Sequence, residues 1–192
     1  MAGEITRTFK GDAPLSAAKN PDVAGAGLPE SEGEVLVGRS VTINRARAEL
    51  YAFWRDFNNL PRFMENVESV LDHGNGRSHW VIAAPAGRRV EWESQIVEEN
   101  EGSLISWASV EGSDIAHSGR IEFRDSSAGR GTIVTATIAY DAPAGEIGRM
   151  IAKLFQKEPK IQARRDLRRF KQLMEAGEVS TSKPPHAAPR AD

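Results

Sequence analysis

Residues Arg39–Val70 read RSVTINRARAELYAFWRDFNNLPRFMENVESV and place one strand ahead of two short helices. Polar and apolar side chains alternate with a period of two over residues 34–44, which predicts a strand with one buried face. Asn44 then stands where a helix over residues 46–56 would have its N-cap. Four apolar side chains share one face of that helix: Leu50, Phe53, Trp54 and Phe57. Pro61 ends this helical pattern, and a second short helical turn precedes the next strand.

Turn sequences recur downstream about every 10–16 residues, as far as residue 131. They delimit six more predicted strands, near residues 66–72, 77–84, 88–98, 103–110, 115–124 and 131–140. The alternation is clearest in VEWESQI, where Val90, Trp92 and Ile96 point one way and the charged residues point the other. This pattern is typical of an antiparallel sheet with one buried face and one solvated face.

A long helical segment is predicted over residues 144–177. Two apolar stripes flank Pro159, one with Ile147, Met150, Ile151, Leu154 and Phe155, the other with Ile161, Leu167, Phe170, Leu173 and Met174. Pro159 lacks an N–H and is expected to kink or interrupt the helix, and Gly177 is expected to end it. Residues 1–32 and 179–192 have the composition of disordered segments, which leaves one folded domain over residues 33–178.

The composition excludes several classes of function. Lys and Arg number 25 against 27 Asp and Glu, so the net charge of -2 creates no chain-wide attraction for nucleic acid. The absence of Cys excludes disulfides, thiolate nucleophiles and cysteine-ligated metals. No two His residues have metal-ligand spacing on one element, and no glycine-rich phosphate loop is present, so we expect neither a metal nor another cofactor. With no signal peptide and no long apolar run, the sequence predicts a cytoplasmic protein.

The order of elements, with Arg39–Val70, VEWESQIVEENEGSLISWASVEGSD (Val90–Asp114) and DLRRFKQLMEAGE (Asp166–Glu178), resembles the START-like helix-grip (SRPBCC) superfamily. Within it, the chain is most similar to the polyketide cyclase/dehydrase and coenzyme Q-binding START-like proteins. The resemblance covers about residues 34–178. It implies an α+β helix-grip fold, in which a seven-stranded antiparallel sheet wraps around a long C-terminal helix. It also implies a lipid, quinone or polyketide-like ligand, and only some members are enzymes.

A curved sheet that faces a single helix leaves a concave apolar space, which is a typical small-molecule site. We expect eleven inward residues to line this pocket: Trp54, Phe57, Trp80, Ile82, Trp92, Ser94, Trp107, His117, Phe123, Met150 and Leu154. Core packing is the alternative for each aromatic residue. His117 would orient a polar group of the ligand, or else be satisfied by a backbone group or by a neighbour such as Ser94. Residues 46–64 and the loop at 84–89 would form the gate.

Three functional hypotheses follow. The leading one is a non-catalytic binding or carrier protein for a hydrophobic small molecule, with a lipid or isoprenoid quinone as the favoured class. The alternative is an aromatase/cyclase-type polyketide cyclase or dehydrase, in which His117 and Tyr140 would be the catalytic residues and Ser94 a further polar group. The second alternative is a stress or regulatory interaction module.

The terminal helix carries the strongest charge asymmetry of the chain. Nine basic residues lie between Arg149 and Lys171, against two acidic ones. A basic amphipathic helix binds anionic lipid surfaces, so a second predicted site is a membrane or partner surface formed by Arg164, Arg165 and Arg168. The hypothesis adds peripheral contact with the inner face of the membrane, and a solvated helix face is the alternative. Nucleic acid is not expected, because no aromatic stacking platform accompanies the charge.

Overall fold

The computed structural model of the chain describes residues 35–113, 115–127, 129–141, 145, 149 and 159–180. Its elements are β1 (Val35–Ile43), α1 (Arg47–Arg55), a 3₁₀ helix (Phe57–Arg62), β2 (Val67–Gly74), β3 (Arg77–Ala84), a 3₁₀ turn (Pro85–Gly87), β4 (Arg88–Asn100), β5 (Leu104–Ser109), β6 (Ala116–Asp125), β7 (Thr132–Asp141) and α2 (Pro159–Ala176). The α+β helix-grip fold is confirmed, and each observed strand bound lies within two residues of its prediction. The predicted N-terminal arm, most of the predicted tail and the apolar stripe before Pro159 lie outside the described residues.

The seven strands form one antiparallel sheet in the order β1-β7-β6-β5-β4-β3-β2. Neighbouring strands align their inward residues in rows: Trp80 lies opposite Trp92, and Phe123 lies opposite Val134. Because side chains alternate along each strand, these rows bury one face of the sheet. Small residues at the centre of the opposite face, such as Ser118 and Thr135, are buried as well. The strand pairing therefore confirms the predicted face of each central strand.

Asn44 does not cap α1, so that prediction is wrong. The helix begins at Arg47, and its N-cap residue, Ala46, makes no side-chain capping bond. Asn44 instead lies in the turn that leaves β1, where its backbone N–H donates to Glu175 Oε1 at 2.6 Å. The β6–β7 turn crowds this point, because a Cβ on Gly131 would overlap the Ile43 carbonyl oxygen.

An aromatic cluster joins the helices beneath the sheet. Phe170 of α2 lies 5.0 Å from the ring of Trp54 in α1 and 4.9 Å from the ring of Phe63, which follows the 3₁₀ helix. Phe123 of β6 completes the cluster at 6.4 Å from Trp54. All four rings are almost fully buried, so this cluster is the packing that holds α2 against the sheet.

Polar contacts connect α2 to the segments at both edges of the sheet, β1 and β2. On the β1 side, the Lys171 ammonium donates to the Thr42 carbonyl at 2.6 Å. On the β2 side, Asp166 accepts from the backbone N–H of Glu65, which precedes β2, at 3.4 Å. Gly177 ends the helix as predicted, with φ 82 and its N–H bonded to Leu173 O at 2.9 Å. The helix thus spans the gap between the two edge strands.

Asp166→Asn is expected to stabilise the protein at neutral pH. Burial raises the pKa of Asp166 from 3.8 to about 6, although hydrogen bonds from Gln162 and Glu65 oppose the shift. Between those pH values the folded state holds a proton that the unfolded state releases, so the stability from this group is lost as pH rises from about 4 to 6. Asparagine keeps the acceptor oxygen without the charge.

We therefore expect a gain on the order of 1–2 kcal/mol at about pH 7.5, shrinking towards pH 4. Urea unfolding of both proteins at the two pH values measures it. A variant that is less stable than wild type at about pH 7.5 would contradict this account of the buried carboxylate.

Candidate functional site

Three tryptophans, here called the indole layer, stack on the concave face: Trp80 on β3, Trp92 on β4 and Trp107 on β5. The Trp80 ring lies 6.0 Å from Trp92 and 5.9 Å from Trp107, with interplanar angles of 9° and 12°. Phe57, at the start of the 3₁₀ helix, lies 5.8 Å from both Trp80 and Trp107. All four side chains are buried. The result is a continuous apolar wall in which the three indoles are nearly parallel and the Phe57 ring is inclined to them at 60° and 63°.

Gly119 sets the position of the indole of Trp107. The two residues face each other across β5 and β6, and a Cβ on Gly119 would overlap three ring atoms of Trp107. The φ of Gly119 is not positive, so backbone conformation does not require glycine here. Glycine is needed because a side chain would overlap the indole. Gly119 is not among the site residues predicted from the sequence. A glycine in the middle of a strand was the available signal, since it often marks a close approach.

Two of the three indoles find their hydrogen-bond partner on their own strand. Trp80 Nε1 donates to Ser78 Oγ at 2.9 Å, and Trp92 Nε1 donates to Ser94 Oγ at 3.1 Å. Each serine is two residues from its tryptophan and therefore shares its face of the sheet. Ser94 is thus a partner of Trp92, and the expectation that it satisfies His117 is wrong.

The indole N–H of Trp107 has no such partner. Ser109 stands at the equivalent spacing, yet its Oγ accepts the backbone N–H of His117 at 3.0 Å. Trp107 Nε1 is consequently buried without a hydrogen bond. A buried donor without an acceptor costs about 1–3 kcal/mol, so an acceptor that reaches this atom stabilises the site.

His117 places a second unpartnered group beside the indole layer. Its ring lies 5.1 Å from Trp92 and 6.3 Å from Trp80. The residue is partly exposed, but its Nδ1 is buried and has no hydrogen-bond partner. Burial lowers the pKa of His117 from 6.5 to about 4, so the imidazole is neutral at neutral pH. A neutral imidazole binds polar groups well but is a weak base.

A family model described as polyketide cyclase / dehydrase and lipid transport matches residues 43–168. The chain belongs to this family. The solved structure of a Deinococcus radiodurans protein is 34% identical, with a TM-score of 0.61 over 74% of this chain and 98% of that one. This family assignment confirms the START-like resemblance, and hydrophobic small molecules are the ligand class of the family.

Two further solved structures show the same fold at lower identity. A Thermus thermophilus protein is 23% identical, with a TM-score of 0.59 over 74% of this chain and 99% of that one. The Zhui aromatase/cyclase from a Streptomyces species is 15% identical, with a TM-score of 0.54 over 76% of this chain and 99% of that one. A search of curated proteins found no match.

The structure brings together six of the predicted pocket residues: Phe57, Trp80, Trp92, Ser94, Trp107 and His117. Trp54 and Phe123 instead pack in the aromatic cluster beneath α2. Ile82 is buried further along β3. Met150, Leu154 and the side chain of Tyr140 lie outside what the structure describes, although the Tyr140 backbone pairs with His117 across β6 and β7. Ser78 and Ser109, which the sequence analysis missed, share a Ser/Trp spacing of two residues that was visible in the sequence.

The carboxylates of β4 lie on the opposite, solvated face, as the alternation predicts. His79 lies between them, with Nδ1 2.7 Å from Glu93 Oε1 and Nε2 3.3 Å from Glu91 Oε2. These residues form a polar cluster on the outer face of the sheet, away from the indole layer. Within the described ranges, no group of three or more His, Asp or Glu side chains is arranged to hold a metal ion.

The three arginines of the predicted membrane or partner surface have different environments. Arg165 pairs with Glu65 at 3.2 Å, whereas Arg164 has a buried Nε without a hydrogen bond. Arg168 is exposed. None of the helices in the described part of the chain is long and apolar enough to cross a membrane. Membrane or partner binding by Arg164, Arg165 and Arg168 stays a prediction.

Proposed function

We propose that this protein binds a hydrophobic small molecule, of the isoprenoid quinone or lipid class, and carries it without converting it. One observation carries the proposal: Trp107 Nε1 and His117 Nδ1 are both buried and unpartnered beside the indole layer. A ligand with a planar apolar body and acceptor oxygens would supply the hydrogen-bond partners that both atoms lack. A quinone ring has this chemistry, because its carbonyl oxygens accept hydrogen bonds and its faces are apolar.

The energetics favour an apolar ligand with few polar atoms. Burial of its surface contributes about 25 cal/mol per Å². Stacking against an aromatic wall adds on the order of 1 kcal/mol per ring pair. The indole N–H of Trp107 only donates, so it selects for an acceptor on the ligand. The neutral His117 accepts or donates according to its tautomer and orients the same polar group.

Polyketide cyclisation is the second candidate, and the placement of His117 beside the indole layer favours it. A cyclase would need a side chain that removes and returns protons near neutral pH. Burial holds the pKa of His117 at about 4, which makes the imidazole a poor base at that pH. This weak basicity supports carriage over catalysis.

Trp107→Phe is expected to weaken binding of decylubiquinone about five- to tenfold, because it deletes the N–H donor while keeping a smaller aromatic ring at this position. Trp54→Phe is the matched control: it also deletes a buried, unpartnered indole N–H, but one that lies in the aromatic cluster beneath α2. We expect the control to bind within about twofold of wild type. Isothermal titration with decylubiquinone, and with palmitate as a lipid probe, measures both.

Equal affinities of Trp107→Phe and wild type would contradict the proposed orientation of the ligand. Native mass spectrometry of protein purified from its own host tests carriage directly, since a quinone or lipid should co-purify near stoichiometry. Turnover of a linear poly-β-ketone that is lost in His117→Ala would favour the cyclase instead. A protein that binds neither probe and co-purifies with nothing would overturn the proposal.

A further inference from the structure

We infer that a polar clasp between α2 and the segment before β2 holds the pocket end of the helix in place and so controls ligand exchange. The clasp consists of Glu65, Arg165, Asp166 and Arg169. The claim that the clasp controls ligand exchange rests on the proposed function. The claim that the clasp holds the start of α2 does not. Two of the basic residues of α2, Arg165 and Arg169, thus bind a carboxylate of the same chain.

Glu65 is the centre of the clasp. Its Oε2 lies 3.2 Å from Arg165 Nη1 and 3.4 Å from Arg169 Nη1, so one carboxylate holds two guanidinium groups. Its backbone N–H donates to Asp166 Oδ1 at 3.4 Å, and Gln162 donates to the same oxygen at 2.9 Å. Four polar contacts therefore meet within about two turns of α2.

The clasp lies at the end of the sheet where we propose the ligand pocket, here called the pocket end. Glu65 comes just before Val67, and Val67 pairs with Ile82 near the end of β3. His117, near the start of β6, belongs to that same end. Lys171 and Glu175 of α2 lie at the other end, where they contact Thr42 and Asn44. The N-terminal half of α2 therefore lies at the pocket end of the sheet, and its C-terminal half lies at the opposite end.

Among the described side chains of α2, the large buried apolar ones begin at Leu167. Leu167, Phe170, Leu173 and Met174 are all buried. Between residues 162 and 166, only the small Ala163 is buried. Few apolar contacts and many polar ones mark a segment that opens locally at low cost. The clasp therefore acts together with the buried Leu167 to hold residues 162–169, and it supplies the polar contacts of this part of the helix.

Glu65→Ala is expected to free the first half of α2 while the second half stays docked. In the ligand-free protein, amide hydrogen exchange over residues 163–169 should become about tenfold faster, and exchange over residues 171–176 should not change. Glu175→Ala is the matched control. It removes the Lys171 ion pair and the bond to the Asn44 N–H at the far end, and should loosen only residues 171–176. Wild-type exchange over residues 163–169 in Glu65→Ala would overturn the inference whatever the ligand is.

Ligand exchange gives the second readout. Stopped-flow mixing with 8-anilinonaphthalene-1-sulfonate and with decylubiquinone should show uptake and release that are both about tenfold faster in Glu65→Ala, with affinity changed less than about twofold. Glu175→Ala should match wild type. Unchanged rates despite faster amide exchange would overturn the gating role. Failure of wild type to bind either probe would contradict the proposed function and the gate together, while the amide exchange would still decide whether the clasp holds the helix.

Discussion

Gly119→Ala is expected to lower the free energy of unfolding by about 3 kcal/mol, because the added methyl group occupies the place of the Trp107 ring. A Cβ at this position would overlap three atoms of that ring. The ring cannot shift freely, since Phe57 and Trp80 pack against it at 5.8 Å and 5.9 Å. The indole must therefore leave the layer or the two strands must move apart.

Thermal and urea unfolding measure the loss, which should lower Tm by about 6–12 °C in a domain of this size. The near-ultraviolet circular dichroism of the stacked indoles should weaken at the same time. Gly119→Ala combined with Trp107→Leu is the control, because the smaller side chain leaves room for the new methyl group. We expect the double variant to lose at least about 1 kcal/mol less than the sum of the two single losses. Simple additivity would mean that the glycine does not position the indole.

Phe170→Ala is expected to cost about 3–5 kcal/mol, the range for deletion of a fully buried ring. Phe170 is 0% exposed, and its ring lies 4.9 Å from Phe63 and 5.0 Å from Trp54. Because Trp54 and Phe63 belong to two separate segments, the cavity cannot close by a small shift of one of them. A loss of this size is a large part of the 5–15 kcal/mol that is usual for a domain.

The control removes an apolar side chain of similar size from the surface. Leu71→Ala on β2 deletes a residue that is 56% exposed, and should stay within about 0.5 kcal/mol of wild type. Urea unfolding at one pH compares the three proteins. A Phe170→Ala variant as stable as Leu71→Ala would contradict the view that the aromatic cluster docks α2.

The inward positions of the site residues were predictable because strand alternation is a local property. Trp80, Trp92, Trp107 and His117 all lie on the face that their parity predicts. The donors and acceptors were harder to assign. Three Ser/Trp spacings look equivalent in the sequence, yet two serines accept an indole N–H and Ser109 accepts the His117 backbone instead. That difference depends on the distance between two strands.

Asn44 shows the same limit at a helix start. Its residue type and position favour an N-cap, but in the structure its backbone N–H donates to Glu175 and its Cα lies close to Gly131. These partners are far from Asn44 along the chain, so no local propensity reports them. The basic charge of the terminal helix was equally visible in the sequence, whereas its partner Glu65 lies about 100 residues away.

Local patterns in the chain were enough to establish the seven strands, the two short helices, the buried stripe of α2 and the face on which the aromatic residues lie. These properties follow from the periodicity of side chains along one element. The tertiary structure alone established that Gly119 makes room for Trp107, that this indole lacks an acceptor, and that Glu65 holds two arginines of α2. Each of these depends on the distance between atoms from different elements, which is set only when the sheet closes around its helix.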